Sequence, residues 1–237
     1  MKWNDYYIKK FISEAADMME DNKTYLIELD SVVGDGDLGL TMSDGFKAAS
    51  EAIENLPEKD CGKLLYAAGK AMAAAVPSTM GTLMANGMMS AGKAVKGHLE
   101  LDESGTYDIL SGWLLGVEKL GKAKRGEKTF IDGLAPVVDL LEKDNHATDR
   151  EMAEAAQEGA KSTVGMQAVH GRAAIRGEAS KELTDPGAVV AALIVEALAK
   201  LLPGQGNASA RLLPGQGCCQ CKVIGRINGD RYGTKIK

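Results

Sequence analysis

The sequence is poor in cysteine, histidine and aromatic residues, and it lacks the cysteine pattern of a small secreted fold. Its 237 residues include four cysteines. Cys61 stands alone, and Cys218, Cys219 and Cys221 lie too close together to crosslink a fold. The cluster offers soft ligands to a metal, but a structural zinc site needs four ligands in two spaced pairs. We therefore interpret the cysteines as free thiols.

The sequence also lacks an apolar stretch long enough to cross a membrane. The apolar run over residues 187–195 stops at Glu196. A secretory signal would need an uninterrupted apolar stretch near the N-terminus, where this chain carries Asp5 and Glu14. We expect a cytoplasmic protein with no membrane partner.

Basic residues are scarce over most of the chain, whose net charge is −5. Residues 203–237 contain six of the 28 Lys and Arg residues and one of the 33 Asp and Glu residues. Residues 1–202 therefore contain 22 basic and 32 acidic residues. An acidic body with no separate basic face repels a phosphate backbone, so we expect no nucleic-acid partner.

Alternating strand patterns are absent, whereas apolar residues recur at helical spacing along most of the chain. With 45% apolar and 26% charged residues, a chain of this length can bury a sizeable core. We predict an all-α fold of eight helices, over about residues 7–19, 41–54, 60–76, 80–97, 109–117, 129–143, 148–166 and 186–201. Thr148 with Glu151 reads as a capping box, and Asp185-Pro186 as an N-cap followed by proline.

Four connections between these helices are rich in Gly, Asp, Ser or Thr. They cover residues 30–39, 77–82, 121–129 and 171–187, and they precede the second, fourth, sixth and eighth predicted helices. Alternate loops of an antiparallel bundle share one end, so simple up-down connectivity gathers the four at one rim. We predict a composite site there.

The first connection carries three carboxylates, Asp30, Asp35 and Asp37, within eight residues. Gly34 and Gly36 allow the backbone to turn tightly enough for the three to converge. Hard oxygen ligands of this kind suit Mg²⁺, which keeps its remaining positions for water and phosphate oxygens. The alternative is that these residues cap the next helix and form turns.

Residues of the other connections each allow two interpretations, one in ligand binding and one in capping, ion pairing or core packing. Residues 77–82 place hydroxyls and backbone N–H groups at a helix start, which suits an anion or an ordinary cap. Arg172 suits a phosphate or the nearby Glu178 and Glu182. Phe130 suits a nucleotide base or the core, and the core is the interpretation we favour. His146 and His170 are interpreted as surface residues.

Together these segments resemble the nucleotide-binding L subunit of dihydroxyacetone kinase and the related C-terminal domain of ATP-dependent dihydroxyacetone kinases. The motifs are LDSVVGDGDLGLTMSDGF, PSTMGT, GKAKRGEKTF with IDGLAPV, and STVGMQAVHGRAAIRGEASKELTDPGA. They follow the family order, and the resemblance covers about residues 5–202. It implies an eight-helix antiparallel up-down barrel with the nucleotide held by loops at one rim.

The resemblance also implies roles for individual residues. Asp30, Asp35 and Asp37 match three aspartates that hold two Mg²⁺ ions against the nucleotide phosphates. The remaining matched positions contact the nucleotide: Leu38, Gly39, Leu40 and Thr41 around the phosphates, Ser78, Thr79, Met80 and Gly81 as a phosphate loop, Gly121 and Phe130 at the adenine, Arg172, and Asp185, Pro186 and Gly187 as a closing turn.

By this resemblance the chain presents the phosphoryl group of Mg-bound ADP or ATP to a sugar held on a separate K subunit. The donor is either exchangeable ATP or ADP rephosphorylated in place by a phosphotransferase M subunit. Catalysis is then mostly positioning and electrostatics. Leu38 stands where the family usually has histidine, which leaves open another acceptor subunit, of another ketose or of the fatty-acid-kinase type. A nucleotide-bound adaptor that docks a transcriptional regulator, and a homodimer, also stay open.

The last 35 residues differ from the rest of the chain. LLPGQG occurs twice, at 201–206 and 212–217, and the segment has no apolar stripe with which to bury a face. We expect residues 1–202 to form the nucleotide-binding domain and residues 203–237 to be disordered. Partner binding by this segment and a translation artefact past the natural end are the two alternatives.

Overall fold

The computed structural model describes residues 2–201, which form nine α-helices, one 3₁₀-helix and two very short strands. The expected disorder of residues 203–237 and three of the four cysteines lie outside the described residues. The elements are β1 (Trp3–Asn4), α1 (Asp5–Asp21), α2 (Lys23–Val33), α3 (Leu38–Glu54), α4 (Cys61–Ala75), α5 (Thr79–Ala94), β2 (Glu100–Leu101), α6 (Gly105–Gly121), α7 (Phe130–Lys143), α8 (Asp149–Ser162), the 3₁₀-helix (Arg172–Glu182) and α9 (Pro186–Ala199). The predicted all-α class is confirmed.

Eight of the nine α-helices form a closed ring. Following the ring, α1 packs against α3, α3 against α4, and so on through α5, α6, α7 and α8 to α9, which packs against α1. Short connections, such as the three residues between α4 and α5, require sequential neighbours to run antiparallel. The N-termini of α3, α5, α7 and α9 therefore share one end of the ring, as the sequence predicted for the connections that precede these helices.

The ninth helix, α2, is absent from the sequence prediction. It packs mainly against α3, and a single residue, Asn22, separates it from α1. Leu26, Leu29 and Val33 are buried at three- and four-residue spacing, which is why this segment is helical. As a result Asp30 lies in the last turns of a helix and not in a loop. The 3₁₀-helix likewise lies within a segment interpreted as a loop, and α8 ends at Ser162, before the expected 166.

The core contains a small aromatic cluster together with many aliphatic and methionine side chains. Trp3, Phe11, Phe46 and Trp113 are fully buried, and the ring centroids of Phe46 and Trp113 lie 6.4 Å apart in a stacked arrangement. A Cβ at Gly87 would overlap the Trp113 ring, so only glycine allows α5 and α6 to approach this closely. Close helix packing compensates for the scarcity of aromatic residues.

Side-chain caps fix where several helices begin. The predicted capping box is present: Glu151 N donates to Thr148 Oγ1 (3.2 Å) and Thr148 N donates to Glu151 Oε2 (2.8 Å). Ala188 N donates to Asp185 Oδ2 (2.8 Å), and Pro186 occupies the first helical position of α9, as predicted.

The most apolar helix, α9, is buried on nearly every face because α1, α7 and α8 surround it. Among residues 2–201, no helix combines the length and the apolar character that a membrane crossing requires. Cys61 is a free thiol buried at the start of α4, where burial raises its pKa to about 11.

Candidate functional site

Three contacts bring the four polar connections together at one end of the ring. The Arg172 guanidinium pairs with the Asp35 carboxylate, which joins the fourth connection to the first. His170, the residue directly before the fourth connection, has its Nε2 2.6 Å from Glu127 Oε2, which joins this part of the chain to the third connection. A Cβ built on Gly187 would lie 3.5 Å from Met80 Cε and 3.2 Å from Phe130 N, so the second connection meets the third and fourth.

The acidic cluster consists of Asp30, Asp35 and Asp37. One carboxylate oxygen from each lies within 4.8 Å of the others. The turn between α2 and α3 produces this convergence: Gly36 has a φ of +76°, and its N–H donates to Asp30 Oδ2 (2.9 Å). Three hard oxygen ligands at this separation fit the coordination chemistry of Mg²⁺.

Electrostatics within the cluster favour a bound cation. The pKa of Asp37 is raised, first by burial and then by the neighbouring charges of Asp35 and Asp30, while Arg172 partly opposes that shift. Three carboxylates against one guanidinium leave an excess of negative charge. A divalent ion would relieve this repulsion.

Of the alternative roles in turns and caps, the structure shows the turn role for Asp30, in addition to its place in the cluster. Asp30 holds the turn by accepting from Gly36 N. Asp37 occupies the N-cap position of α3, but its side chain makes no capping hydrogen bond. Its carboxylate is therefore directed at the cluster and not at the helix that it precedes.

The N-terminus of α3 differs from the three other helix starts at this end of the ring. Ser78, Thr129 and Asp185 cap α5, α7 and α9 through their side chains, whereas α3 has no side-chain cap. Unpaired N–H groups and the helix dipole favour an anion at such a terminus. A helix terminus that suits an anion thus lies directly beside a cluster that suits a cation.

The predicted phosphate-contacting residues of α3 are unevenly exposed. Leu38, Gly39 and Thr41 are buried, whereas Leu40 is exposed. Thr41 N donates to Asp37 O (2.9 Å), which starts the helix. Gly39 is packed against Lys23 and Ile27 of α2, which leaves Leu40 as the exposed residue of this turn.

The second connection is also ordered by its own helix. Gly81 N donates to Ser78 Oγ (3.0 Å), so the capping reading of this serine is present in the structure. Ser78 and Met80 are half-buried, Thr79 is exposed and Gly81 is buried.

Gly121 and Phe130 lie at the two ends of the third connection. Gly121 closes α6 and is half-buried, with Leu83 as its close neighbour. The Phe130 side chain is only 3% exposed, so it packs in the core, which is the interpretation that we favoured from its residue type.

The structure gives specific partners to two side chains in or next to the fourth connection. Arg172 pairs with Asp35, while Glu178 pairs with Lys181, so the suggested pairing of Arg172 with Glu178 is not the arrangement present. His170 does not simply face solvent: its hydrogen bond is the main cause of the lowered pKa of Glu127.

A buried polar network beneath the connections was missed by the sequence interpretation. Lys128 is 3% exposed, and its Nζ donates to the main-chain oxygens of Thr163 and Leu183. Asp185 N donates to Thr163 Oγ1 (3.0 Å). No periodicity or motif marks a lysine as buried, so the sequence offers no signal for the role of Lys128.

The charges of this network shift one another. Burial raises the pKa of Asp185 to about 7, although hydrogen bonds from Ala188 and Gly187 and the charge of Lys128 oppose the rise. Burial also lowers the pKa of Lys128, against the attraction of Asp185 and Asp132.

Comparisons with known proteins agree with this geometry. A family model described as the DAK2 domain matches residues 32–200. The chain is 31% identical to the ADP-binding subunit DhaL of PEP-dependent dihydroxyacetone kinase 1 from Listeria innocua, over 84% of this chain and 97% of the relative. It is 34% identical to the L-erythrulose 1-kinase of Mycolicibacterium smegmatis over 77% of its own length, and it spans about a third of that longer protein (33%).

Solved structures show the same fold. The dihydroxyacetone kinase of C. freundii superposes with a TM-score of 0.66 at 25% identity, over 81% of this chain and 34% of that one. The same kinase has been solved in complex with AMP-PNP and Mg²⁺, with a TM-score of 0.64, 23% identity and coverage of 81% and 33%. The extent of the family match and the near-complete coverage of the Listeria subunit show that this chain belongs to the DAK2-domain family.

Proposed function

We propose that this chain is the nucleotide-binding subunit of a dihydroxyacetone kinase and that it presents a Mg-bound phosphoryl donor to a sugar carried by a separate K subunit. The observation that carries the proposal is the convergence of Asp30, Asp35 and Asp37 beside the uncapped N-terminus of α3. Carboxylates for a cation next to free N–H groups for an anion are what a metal–phosphate ligand requires.

In this proposal the three aspartates hold the metal, as two Mg²⁺ ions that neutralise charge on the transferring phosphoryl group. Asp30 and Asp37 are fixed by the ends of two helices, and the turn at Gly36 sets the distance between them. Leu38, Gly39, Leu40 and Thr41, in the first turn of α3, are the residues proposed to surround the phosphates, so the rigid frame does the positioning that phosphoryl transfer needs.

The remaining rim residues surround the nucleotide in this proposal. Ser78, Thr79, Met80 and Gly81 are proposed as a phosphate loop, Gly121 and the buried Phe130 are proposed to frame the base, and the turn Asp185, Pro186 and Gly187 is proposed to close over the ligand. Arg172, already beside the cluster through Asp35, supplies a guanidinium to the phosphates.

A K subunit and, for a phosphotransferase-linked enzyme, an M subunit are the proposed partners. The Listeria relative is by name the ADP-binding subunit of a PEP-dependent kinase, which supports an enzyme of several subunits. Exposed apolar side chains at the rim support docking there: Leu40 on α3, Val169 before the 3₁₀-helix, and Ile175 within it at 87% exposure. The acceptor is proposed to be dihydroxyacetone, and the 34% identity to an L-erythrulose kinase makes a four-carbon ketose the second candidate.

The proposal is tested by nucleotide-dependent stabilisation and by turnover. At 100 times its Kd, Mg-ADP should stabilise the parent chain by about 2.7 kcal/mol, or roughly 5–10 °C in Tm. We expect Asp35→Asn and Asp37→Asn to abolish this shift, and Asp17→Asn, an exposed carboxylate on α1, to retain it. Equal shifts in all variants would contradict the assignment.

Turnover distinguishes the kinase subunit from a nucleotide-bound adaptor. With an acceptor subunit, Mg²⁺ and dihydroxyacetone or erythrulose, a kinase subunit produces sugar phosphate, whereas an adaptor binds ADP without turnover. Native mass spectrometry of the purified chain separates the donors, because retained ADP with two Mg²⁺ indicates the phosphotransferase-linked subunit and an empty site indicates exchange of ATP.

A further inference from the structure

Lys128 is a buried cation with an unusual backbone. Its φ is +63°, in the left-handed region that residues with a Cβ seldom adopt, and its side chain is almost fully enclosed. Backbone strain of this kind persists only where the surrounding structure imposes it. An apolar side chain would fill the same space without the cost of burying a charge, so the presence of an ammonium group here requires a physical explanation.

The two oxygens that accept from Lys128 Nζ lie at the two ends of a long segment between α8 and α9, residues 164–182, which we call the excursion. Thr163 directly follows α8, and Leu183 lies just before the turn that starts α9. Between them, residues 164–182 carry His170 and Arg172 out to the rim. Gly165 N donates to Lys181 O (2.8 Å), which closes the excursion immediately above the lysine.

The contacts of Lys128 continue into the turn before α9. Thr163 Oγ1 accepts from Asp185 N (3.0 Å) and donates to Ala160 O (2.6 Å), so the residue bound by the lysine also anchors that turn to α8. Asp185 in turn caps α9 through Ala188 N. One ammonium group therefore lies at the point where α8, the excursion and α9 meet.

The chain on either side of Lys128 is fixed as well. Gly126 N donates to Asp132 Oδ1 (2.5 Å) and Thr129 N donates to Asp132 Oδ2 (2.8 Å), so one carboxylate holds both flanks. Phe130 N, two residues on, lies against Gly187. Asp132 and Asp185 also supply the negative charge that makes a buried ammonium tolerable.

We propose that Lys128 is a positioning residue that holds the 164–182 excursion and the Asp185–Gly187 turn in the arrangement that receives the nucleotide. This rests on the proposed function, because it assigns these segments to the nucleotide. The acidic cluster is built independently of the lysine, by α2, α3 and the turn at Gly36. Loss of Lys128 should therefore impair nucleotide binding and spare metal binding.

The test compares Lys128→Met, Lys128→Arg and the parent chain at full length. If the receptive arrangement falls to about a tenth of the population in Lys128→Met, the Kd for Mg-ADP rises about tenfold. Binding of Mn²⁺ alone, followed by electron paramagnetic resonance, should not weaken, because the cluster is intact and release of Arg172 from Asp35 would only raise metal affinity. Lys128→Arg retains the charge and the donors, and we expect it to recover part of the affinity.

Ile53→Ala is the control for general destabilisation. Ile53 is fully buried near the C-terminal end of α3, away from the rim, so its truncation lowers stability without touching the network. We expect its Kd for Mg-ADP to match the parent at a temperature where all variants are folded. A Lys128→Met chain with unchanged nucleotide affinity, or with Mn²⁺ and nucleotide affinities that fall together, would overturn the proposal.

Hydrogen exchange separates failure of this inference from failure of the proposed function. In Lys128→Met, amides over residues 164–185 should exchange faster than in the parent, while amides of α4 and α5 should not. If the parent binds no Mg-ADP, the proposed function fails, and exchange still reports whether Lys128 holds the segment. Unchanged exchange over residues 164–185 would refute the positioning role in either case.

Discussion

Replacing Arg172 with alanine should change metal affinity and nucleotide affinity in opposite directions. Its guanidinium pairs with Asp35, one of the three cluster carboxylates, and both side chains are partly exposed, at 60% and 41%. The arginine therefore competes with a metal ion for the same carboxylate. In the proposed complex the guanidinium turns to the phosphates and no longer competes.

The size of the effect follows from Coulomb's law. In water, a unit charge about 4 Å from a divalent ion of the same sign is repelled by roughly 2 kcal/mol, and exposure and salt reduce this to about 1–2 kcal/mol. Removal of the guanidinium should therefore tighten binding of metal alone by about five- to thirtyfold, since 1.4 kcal/mol corresponds to tenfold. Nucleotide affinity should fall, because a charge-assisted contact to phosphate is lost.

Calorimetric titration measures both quantities, with Mn²⁺ in the absence of nucleotide and with ADP at saturating Mg²⁺. Arg176→Ala is the matched control, since it removes an exposed arginine from the same 3₁₀-helix. The reasoning is refuted if Arg172→Ala weakens metal binding, or if Arg176→Ala strengthens it as much. Because direct competition predicts a stronger effect at low salt, the difference should shrink at high ionic strength.

Three further predictions concern stability. The pKa of Asp185 is about 7 in the folded chain, against an ordinary value of 3.8, so its contribution to stability is fully present below pH 3.8 and is lost as pH rises through 7. The free energy of unfolding should therefore fall by up to about 1.36 kcal/mol per pH unit in this range. Asp185→Asn should flatten this pH dependence in urea titrations between pH 4 and 8. Gly87→Ala forces a methyl group against the Trp113 ring and should cost about 1–3 kcal/mol, visible as a lower urea midpoint with an unchanged slope. Ser78→Ala removes the oxygen that accepts from Gly81 N and should cost about 1 kcal/mol by the same measurement, and no loss of stability would show that the cap is dispensable.

The predictable part of this molecule is the part governed by periodicity and turn chemistry. The eight ring helices follow from apolar spacing, and the capping box at Thr148 and the start of α9 follow from local capping rules. The convergence of four connections follows from alternation in an antiparallel ring. Each of these depends on residues close together in the chain, so one sequence is enough to reveal it.

The unpredicted part depends on tertiary context. Gly34, Gly36 and three aspartates mark a turn so strongly that the helix leading into it, α2, was not recognised, although Leu26, Leu29 and Val33 follow helical spacing. The burial of Lys128 is set by carbonyl groups 35 and 55 residues further along the chain. The pairing of Arg172 with Asp35 across two connections likewise leaves no local signal, whereas Glu178 and Glu182 were the partners nearest in sequence.

The rim combines two opposite kinds of charge, and this arrangement determines which ligand it can bind well. The carboxylates of Asp30, Asp35 and Asp37 attract a cation and repel a free nucleotide, while the uncapped N-terminus of α3 and Arg172 attract an anion. A metal ion alone is repelled by the N-terminus of α3 and by Arg172, and a nucleotide alone is repelled by the carboxylates. Each ligand alone therefore has favourable contacts with only part of the site. The metal–nucleotide complex satisfies both, which requires that each component raise the affinity for the other by the same factor, since coupling between two ligands is reciprocal. Equal affinities for ADP with and without Mg²⁺ would therefore contradict the assignment of these carboxylates to the metal, even in a chain that binds nucleotide.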